Sequence, residues 1–392
     1  MKKILIIGGG IGGCAAAHLL SKNENLDILL VEKSSFLGAG NRTFYWGGHP
    51  YTFGPRHFLT KQRKLYDYMN SIIPLRDCSE HKFLTYVEKD NQFYNMPLSY
   101  DDVDKMPDKE IIYKELENLD KNKESTNFEQ FWMNSIGTIL YDKVVKNYNK
   151  KMWMVDDNSV FKSFKWTTKG DPIKKGKRKG HDDGVISAYP YDKDGYNKYF
   201  EVATKNIKVM LNTIIEDYDI ENKRVKIKGD SIKFDYIINT IGPDEIFKNI
   251  FGELKFIGRD FHKIVLPSET VFPKDVYFLY YANSEKFTRI VEYKRFTRHK
   301  SPTTLLGLEI PSMNGKFYPM PIYEQQLLAK KYFDIMPENV FSIGRNGTYR
   351  YGVDIDDCIE QAMEVEKIIN SNNWNNPVPL EKHRSFAFGG VS

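Results

Sequence analysis

The chain has 392 residues, enough for two or three domains, and its 41% apolar content is ample for real cores. A net charge of +5 is too modest at this length to signal nucleic-acid binding, and no stretch approaches the ~20 apolar residues of a membrane span. Cys14, Cys78 and Cys358 are the only cysteines and form no CxxC pair, so neither a disulfide framework nor a zinc site is supported, and no metal is expected.

The chain begins MKKILIIGGGIGGC. Two lysines, an apolar run and Cys14 resemble an export signal with a lipid-attachment cysteine. The apolar core Ile4–Ile7 is short, β-branched in character and runs into three glycines, which suits a strand and not an export helix. Beyond it, AAAHLL has helical spacing, a polar turn follows, and Leu26–Val31 reads as a second strand ending in Glu32. Strand, Gly8-x-Gly10-x-x-Gly13, helix, strand and terminal acid together form the dinucleotide fingerprint in its proper context. Gly8 permits the tight turn, Gly10 lets backbone approach a pyrophosphate, and Gly13 lets the helix pack close. The helix N-terminus faces the negative charge, and Glu32 suits a ribose hydroxyl pair. A cytoplasmic protein is expected.

From about residue 81 the pattern turns to amphipathic helices with little strand propensity, through NYNKKMW at 147–153. Residues 154–195 are irregular and carry Lys174, Lys175, Lys177, Arg178 and Lys179. Such a run is usually a solvated loop, although a basic lid closing on a diphosphate would use one. From 196 a helix and short strands lead to YIINTIGP at 236–243, an apolar strand whose turn at Gly242 can close over an adenine–ribose unit. Residues 256–310 are mostly strand-like. NVFSIGRNG at 339–347 then ends a strand in Gly344-Arg345, ahead of a long helix that starts near Asp354. Arg345 could pair with a pyrophosphate, and the helix start would favour the negative pyrimidine edge of a reduced flavin. Both features point to FAD and not nicotinamide. The expected fold is α/β, with a discontinuous Rossmann-like FAD-binding domain (1–80, 196–255 and 325–392). A small helical-bundle insert (81–153) and an antiparallel-sheet substrate domain with a mobile loop (256–324 and 154–195) complete it.

In chain order, GGGIGG with Glu32, GNRTF, FGPRHFLT, YNMP, NYNKKMW, TRIVEYKRF, FYPMP and GRNGTYRYGVD resemble the UDP-galactopyranose mutase family, or close relatives that contract the ring of another nucleotide sugar. The resemblance covers nearly the whole chain. It implies three domains like those above and an isomerase that interconverts pyranose and furanose forms of UDP-galactose or another NDP-hexose. Reduced FAD would act through an N5–sugar adduct that displaces the diphosphate and later receives it back, with no net redox change. The protein must then supply cations for the diphosphate, a stacking face for the base and hydroxyls around the sugar.

On this resemblance Arg289 in TRIVEYKRF matches a substrate-phosphate arginine, and strand alternation would put Arg289, Val291 and Tyr293 on one face. Tyr318 and Tyr351 match phosphate-binding tyrosines, and Tyr148 and Trp153 match residues that line the base and sugar parts of the cleft. Lys169 and Tyr189 complete the substrate side. Asn41 of GNRTF joins Gly242, Arg345 and Asp354 on the cofactor side. The departures are specific. Arg56 stands where the family usually has a flavin-side histidine, and Leu59 replaces a second histidine. His57, one place along an extended segment, is expected to point the other way. The second phosphate arginine is missing, and the nearest aligned residue, Lys169, is a point charge without the guanidinium fork. Ala39 lies in a turn the family usually writes Gly-Gly-Asn. Arg56, Arg289, Tyr318 and Tyr351 are the catalytic candidates. Two rival readings stay open: an FAD-dependent oxidoreductase of the amine-oxidase-like superclass, and a non-catalytic nucleotide-sugar-binding homologue. The expected partner is a nucleotide sugar, with no nucleic acid and no membrane span. A homodimer is compatible with the sequence.

Overall fold

Strand Lys2–Ile7 is apolar on both faces because both are covered, the usual state of a strand in a parallel sheet. The computed structural model describes residues 1–120, 123–162, 164, 173–176, 181 and 184–371. In it Lys2–Ile7 is the middle of a five-stranded parallel sheet in the order Lys208–Met210, Leu26–Val31, Lys2–Ile7, Tyr236–Asn239, Val340–Ser342. Ile4 and Ile6 face a core shared with helices Ile11–Leu20, Asn197–Thr204 and Ile355–Ser371. Leu5 and Ile7 face the other way, onto the antiparallel meander Asp217–Asp219, Arg224–Ile227, Asp230–Lys233. The first helix crosses the sheet closely. A Cβ on Gly13 would lie 2.1 Å from the carbonyl oxygen of Gly8.

A seven-stranded sheet forms the second layer, in the order Tyr318–Pro319, Phe256–Leu266, Thr304–Ser312, Arg289–Glu292, Phe278–Tyr281, Leu84–Val87, Gln92–Asn95. Its pairs are antiparallel except Phe278–Tyr281 with Leu84–Val87, which is parallel. Residues 84–95 therefore form a hairpin in this sheet and not part of a helical segment that starts at 81. β-Branched and aromatic residues in LTYV and QFYN fit a pleated surface better than a helix. The helices that follow, Tyr100–Val103, Lys109–Glu117, Phe128–Ile136, Thr138–Val144 and Lys146–Trp153, surround a core containing Trp132, Tyr141, Trp153 and Phe161. Asn127 caps one of them by accepting the Gln130 N–H, and Ser99 and Asp102 form a capping box on another.

Two further details differ from the sequence reading. Strand Arg289–Glu292 stops one residue before Tyr293, which opens the helical turn Tyr293–Thr297, so Tyr293 does not share a strand face with Arg289. Residues 186–190, within the segment read as loop, form the middle strand of a small sheet between Phe58–Thr60 and Leu75–Asp77. Among the described residues, no helix is long and apolar enough to cross a membrane, and no group of His, Cys, Asp or Glu could hold a metal ion.

Candidate active site

A cavity of about 700 Å³ runs from the glycine turn after the first strand to the rings and cations of the seven-stranded sheet. At its first end Gly8 has a φ of +95°, left-handed geometry that glycine adopts without strain. Glu32 accepts hydrogen bonds from the backbone N–H groups of Gly9 and Ser34, both at 2.7 Å, which fixes its carboxylate at the cavity edge. Gly10, Asn41, Gly242, Arg345 and Asp354 also line the cavity; Gly13 does not, and acts by letting the helix sit close behind it. The helix Ile11–Leu20 has no acidic residue in its first turn, so its positive end is uncancelled. Above Gly10 the nearest atom to an added Cβ is the Ala39 Cβ, 3.9 Å away, leaving bare backbone open to the cavity. Ala39 itself has a φ of +45°, a conformation costly to any residue but glycine.

Arg345 is more committed than its place after a buried strand implied. Its Nε donates to the Val353 carbonyl at 2.8 Å, and its Nη2 pairs with Asp354 at 2.5 Å. It thereby ties the glycine turn after strand Val340–Ser342 to the start of helix Ile355–Ser371, while its guanidinium also lies 5.3 Å from the centre of the Tyr318 ring.

At the far end Arg56, Arg289 and Tyr280 line the cavity, whereas Tyr148, Trp153, Arg259, Tyr318 and Tyr351 are not part of its lining and pack nearby. Arg289 donates from Nε (3.1 Å) and Nη2 (2.6 Å) to one oxygen of Glu309, whose carboxylate is fully buried. Tyr318 and Tyr351 lie 5.7 Å apart; Trp153 meets Tyr351 edge-on at 4.8 Å, and Tyr148 meets Tyr280 at 5.6 Å. Burial alone would raise the Tyr318 phenol, but Arg56, Arg289 and Arg259 outweigh it and bring the phenol down to about 8. Burial pushes Tyr351 up to about 12, with Tyr318 adding to the rise, and holds Tyr148 well above the ordinary tyrosine range. Arg259 is absent from the motifs that carry the resemblance. It lies on strand Phe256–Leu266, is 3% exposed, and stacks 4.7 Å over the Tyr318 ring, with its Nε unpartnered among the described residues. An arginine inside the otherwise apolar opening FIGR was the only signal for it.

Arg56 lines the cavity. Its Nε donates to the Gly40 carbonyl at 3.1 Å, and among the described residues no carboxylate is within ion-pair distance of it. His57 also contributes to the cavity lining, while its ring packs against Phe296, His81 and Tyr277 with Nε2 shut off from solvent. Tyr189 does not join the site. On the middle strand of the small sheet it turns inward, 2% exposed, onto Tyr196 and Phe296. Lys174 bridges by its backbone to Ser99, whereas Lys169, Lys177, Arg178 and Lys179 lie outside the described residues.

Residues 143–351, more than half of the chain, match the family profile described as UDP-galactopyranose mutase. The chain belongs to the UDP-galactopyranose mutase family. Residues 6–72 also match an NAD(P)-binding Rossmann-like domain. Among solved structures, a reduced UDP-galactopyranose mutase aligns with a TM-score of 0.80 at 15% identity, covering 98% of this chain and 99% of that one. A putative protoporphyrinogen oxidase from Exiguobacterium sp. 255-15 aligns at 0.69 with 14% identity, covering 95% and 99%. Putrescine oxidase aligns at 0.61 with 12% identity, over 95% and 99%. At such identities these likenesses concern the fold, which all three share. Family membership makes the chain a flavin-dependent isomerase, and its cofactor is FAD. The cavity fits that group: a glycine turn open to a pyrophosphate, an uncancelled helix N-terminus, and a carboxylate fixed for a ribose.

Proposed function

We propose that the protein interconverts the pyranose and furanose forms of a nucleoside-diphosphate hexose, UDP-galactose or a close analogue. The observation that carries this reading is the cation group at the glycine-lined cavity: Arg56 and Arg289 line it, and Arg259 stacks 4.7 Å from the centre of the Tyr318 ring. Reduced FAD, when bound, supplies the nucleophile, so the reaction consumes no electrons overall. The chain's own residues handle the charge. Arg289, aimed by Glu309, and Arg259, braced on Tyr318, meet the diphosphate, whose negative charge grows as it leaves the sugar. With a pKa near 8 the Tyr318 phenol is still mostly protonated at neutral pH and donates a hydrogen bond to a phosphate oxygen. Tyr148 and Trp153 form the wall for the base and sugar. Arg56 lies at the junction between the cofactor turn and the sugar, touching Gly40 on one side and acting on Tyr318 on the other.

The test is direct. Dithionite-reduced, FAD-loaded protein is given a panel of nucleotide sugars, and furanose products are sought by NMR while the flavin absorbance is followed. Product formation with the flavin reduced throughout is expected. Bleaching and recovery of the flavin with each turnover would instead identify an oxidoreductase. Binding without conversion would identify a non-catalytic homologue.

A further inference from the structure

Tyr280 and Arg289 both line the cavity. They sit opposite each other on the antiparallel strands Phe278–Tyr281 and Arg289–Glu292, and residues 282–288 join those strands in a loop. Arg289 is the first residue of its strand, so any freedom of the loop passes directly to it.

Helix Lys146–Trp153 holds that loop through one side chain. Lys151 Nζ donates to the backbone carbonyls of Tyr281 (3.1 Å), Asn283 (3.4 Å) and Glu285 (2.6 Å), and lies 3.6 Å from the Glu285 carboxylate. The Lys151 and Glu285 side chains are only 13% and 15% exposed, so water does little of this work. Three carbonyl oxygens aimed at one point repel one another, and an ammonium with three donors cancels that repulsion. The loop therefore takes this shape because Lys151 is there. Tyr148 stands one turn earlier on the same helix, and its ring meets Tyr280 edge-on at 5.6 Å. Asn283 adds a second tie, donating to the Lys143 carbonyl at 2.9 Å and accepting from the Glu88 N–H at 2.8 Å. One helix thus fixes Tyr280 by a ring contact and the loop leading to Arg289 by a buried cation.

We infer that Lys151 is a positioning residue of the substrate site, holding the 282–288 loop so that Arg289 meets the diphosphate in the right direction. The guanidinium–phosphate contact is directional, so a tilt of the strand end weakens it without removing any charge from the cavity. The inference rests on the mutase reading, in which Arg289 binds the diphosphate, and adds the residue that places it.

Full-length, FAD-loaded protein is titrated with UDP by calorimetry. Lys151→Met keeps most of the bulk and removes the charge with its three donors. Its folded, FAD-loaded form should bind UDP about tenfold more weakly, the scale of one buried hydrogen bond. Lys151→Arg again offers several donors and should recover most of the loss. FAD content should stay at the wild-type level in both, because the glycine turn lies at the other end of the cavity. A lysine that only stabilised the fold would lower the melting point and leave the affinity of the folded fraction alone, so wild-type affinity in Lys151→Met overturns the inference. Weaker binding that comes with a matching loss of FAD overturns it too, since that is general collapse. If Lys151→Met does not yield folded protein, Asn283→Ala frees the same loop from Glu88 and Lys143 and should also weaken UDP binding; unchanged affinity there overturns the inference. In each of these cases the mutase reading stands as long as the wild type binds UDP. If the wild type does not bind UDP, the mutase reading fails and the role of Lys151 with it.

Discussion

Arg56 puts a permanent cation where the family usually has an imidazole, and no carboxylate among the described residues neutralises it. A positive charge beside the cofactor favours anionic reduced flavin over its neutral forms. Arg56→His should therefore lower the midpoint potential of the bound flavin, measured by spectroelectrochemistry on the loaded protein. An unchanged potential would mean the guanidinium acts on the Tyr318 side alone. Arg289 is the second residue to test. On the proposed reading Arg289→Ala removes a charge-assisted phosphate contact of about 1.5–3 kcal/mol, so affinity for the nucleoside diphosphate should fall about 10–100-fold by calorimetry. Wild-type affinity in that variant would remove Arg289 from the site. Several residues that line the candidate cavity, among them Gly8, Gly10, Glu32, Asn41, Arg56, Arg289 and Arg345, were legible at this scale. Glu32 stands out because an acid ending the second strand has one common use, and Arg289, Tyr318 and Tyr351 sit in recognisable motifs. Arg259 was hidden because a lone arginine in a strand usually faces solvent, and only the fold turns this one onto Tyr318. Tyr189 was misread because sequence alone does not tell which side of the strand Ile186–Pro190 meets the core.

Among the elements, the crossing of the first helix over the first strand has the least slack. Gly13→Ala would set a methyl 2.1 Å from a backbone carbonyl oxygen, where neither partner is a flexible side-chain end. Overpacking of this kind costs about 1–3 kcal/mol. The variant should melt several degrees lower by calorimetry and retain less FAD after gel filtration. A melting point and FAD content equal to the wild type would show that the helix can slide away. The elements also show where periodicity reached its limit. The parallel strands were legible because each is a short apolar run bounded by turns. The hairpin at 84–95 was not, since its partner Phe278–Tyr281 is almost two hundred residues away and its own sequence borders a helical region. The strand Arg289–Glu292 was read too long because Tyr293 and Phe296 suit a strand by propensity, while packing against Gly307 and the core holds them in a helical turn.

Across the whole molecule, a pair of imidazoles, His49 buried and His299 half-buried, is expected to limit stability toward acid. His49 and His299 share a 2.9 Å hydrogen bond, flanked by Thr303 and Thr297, and two imidazoles in that contact cannot both be charged. Burial, then the charges of His49 and Lys294, lower His299 to about 4. The folded value thus lies below the ordinary 6.5, and the unfolded chain binds more protons between the two. Stability from this group is complete above about pH 6.5 and is lost as pH falls toward 4. The melting temperature should drop through that window, and less steeply in His299→Gln, which cannot take up a proton. Equal slopes would assign the acid limb to other groups. The strand order of the parallel sheet, finally, imposes a timetable on synthesis. Lys2–Ile7 pairs with Tyr236–Asn239, and that strand in turn with Val340–Ser342, so the sheet closes only when widely separated parts of the chain are present together. At about 5–20 residues per second, roughly 15–70 s separate the making of its first and last strands. For the first two-thirds or so of that interval Lys2–Ile7 waits with one edge unpaired, until Tyr236–Asn239 is made, a template for association with other nascent chains. Rapid overproduction should therefore send much of the protein into aggregates, and a coexpressed chaperone that shields nascent strands should recover it.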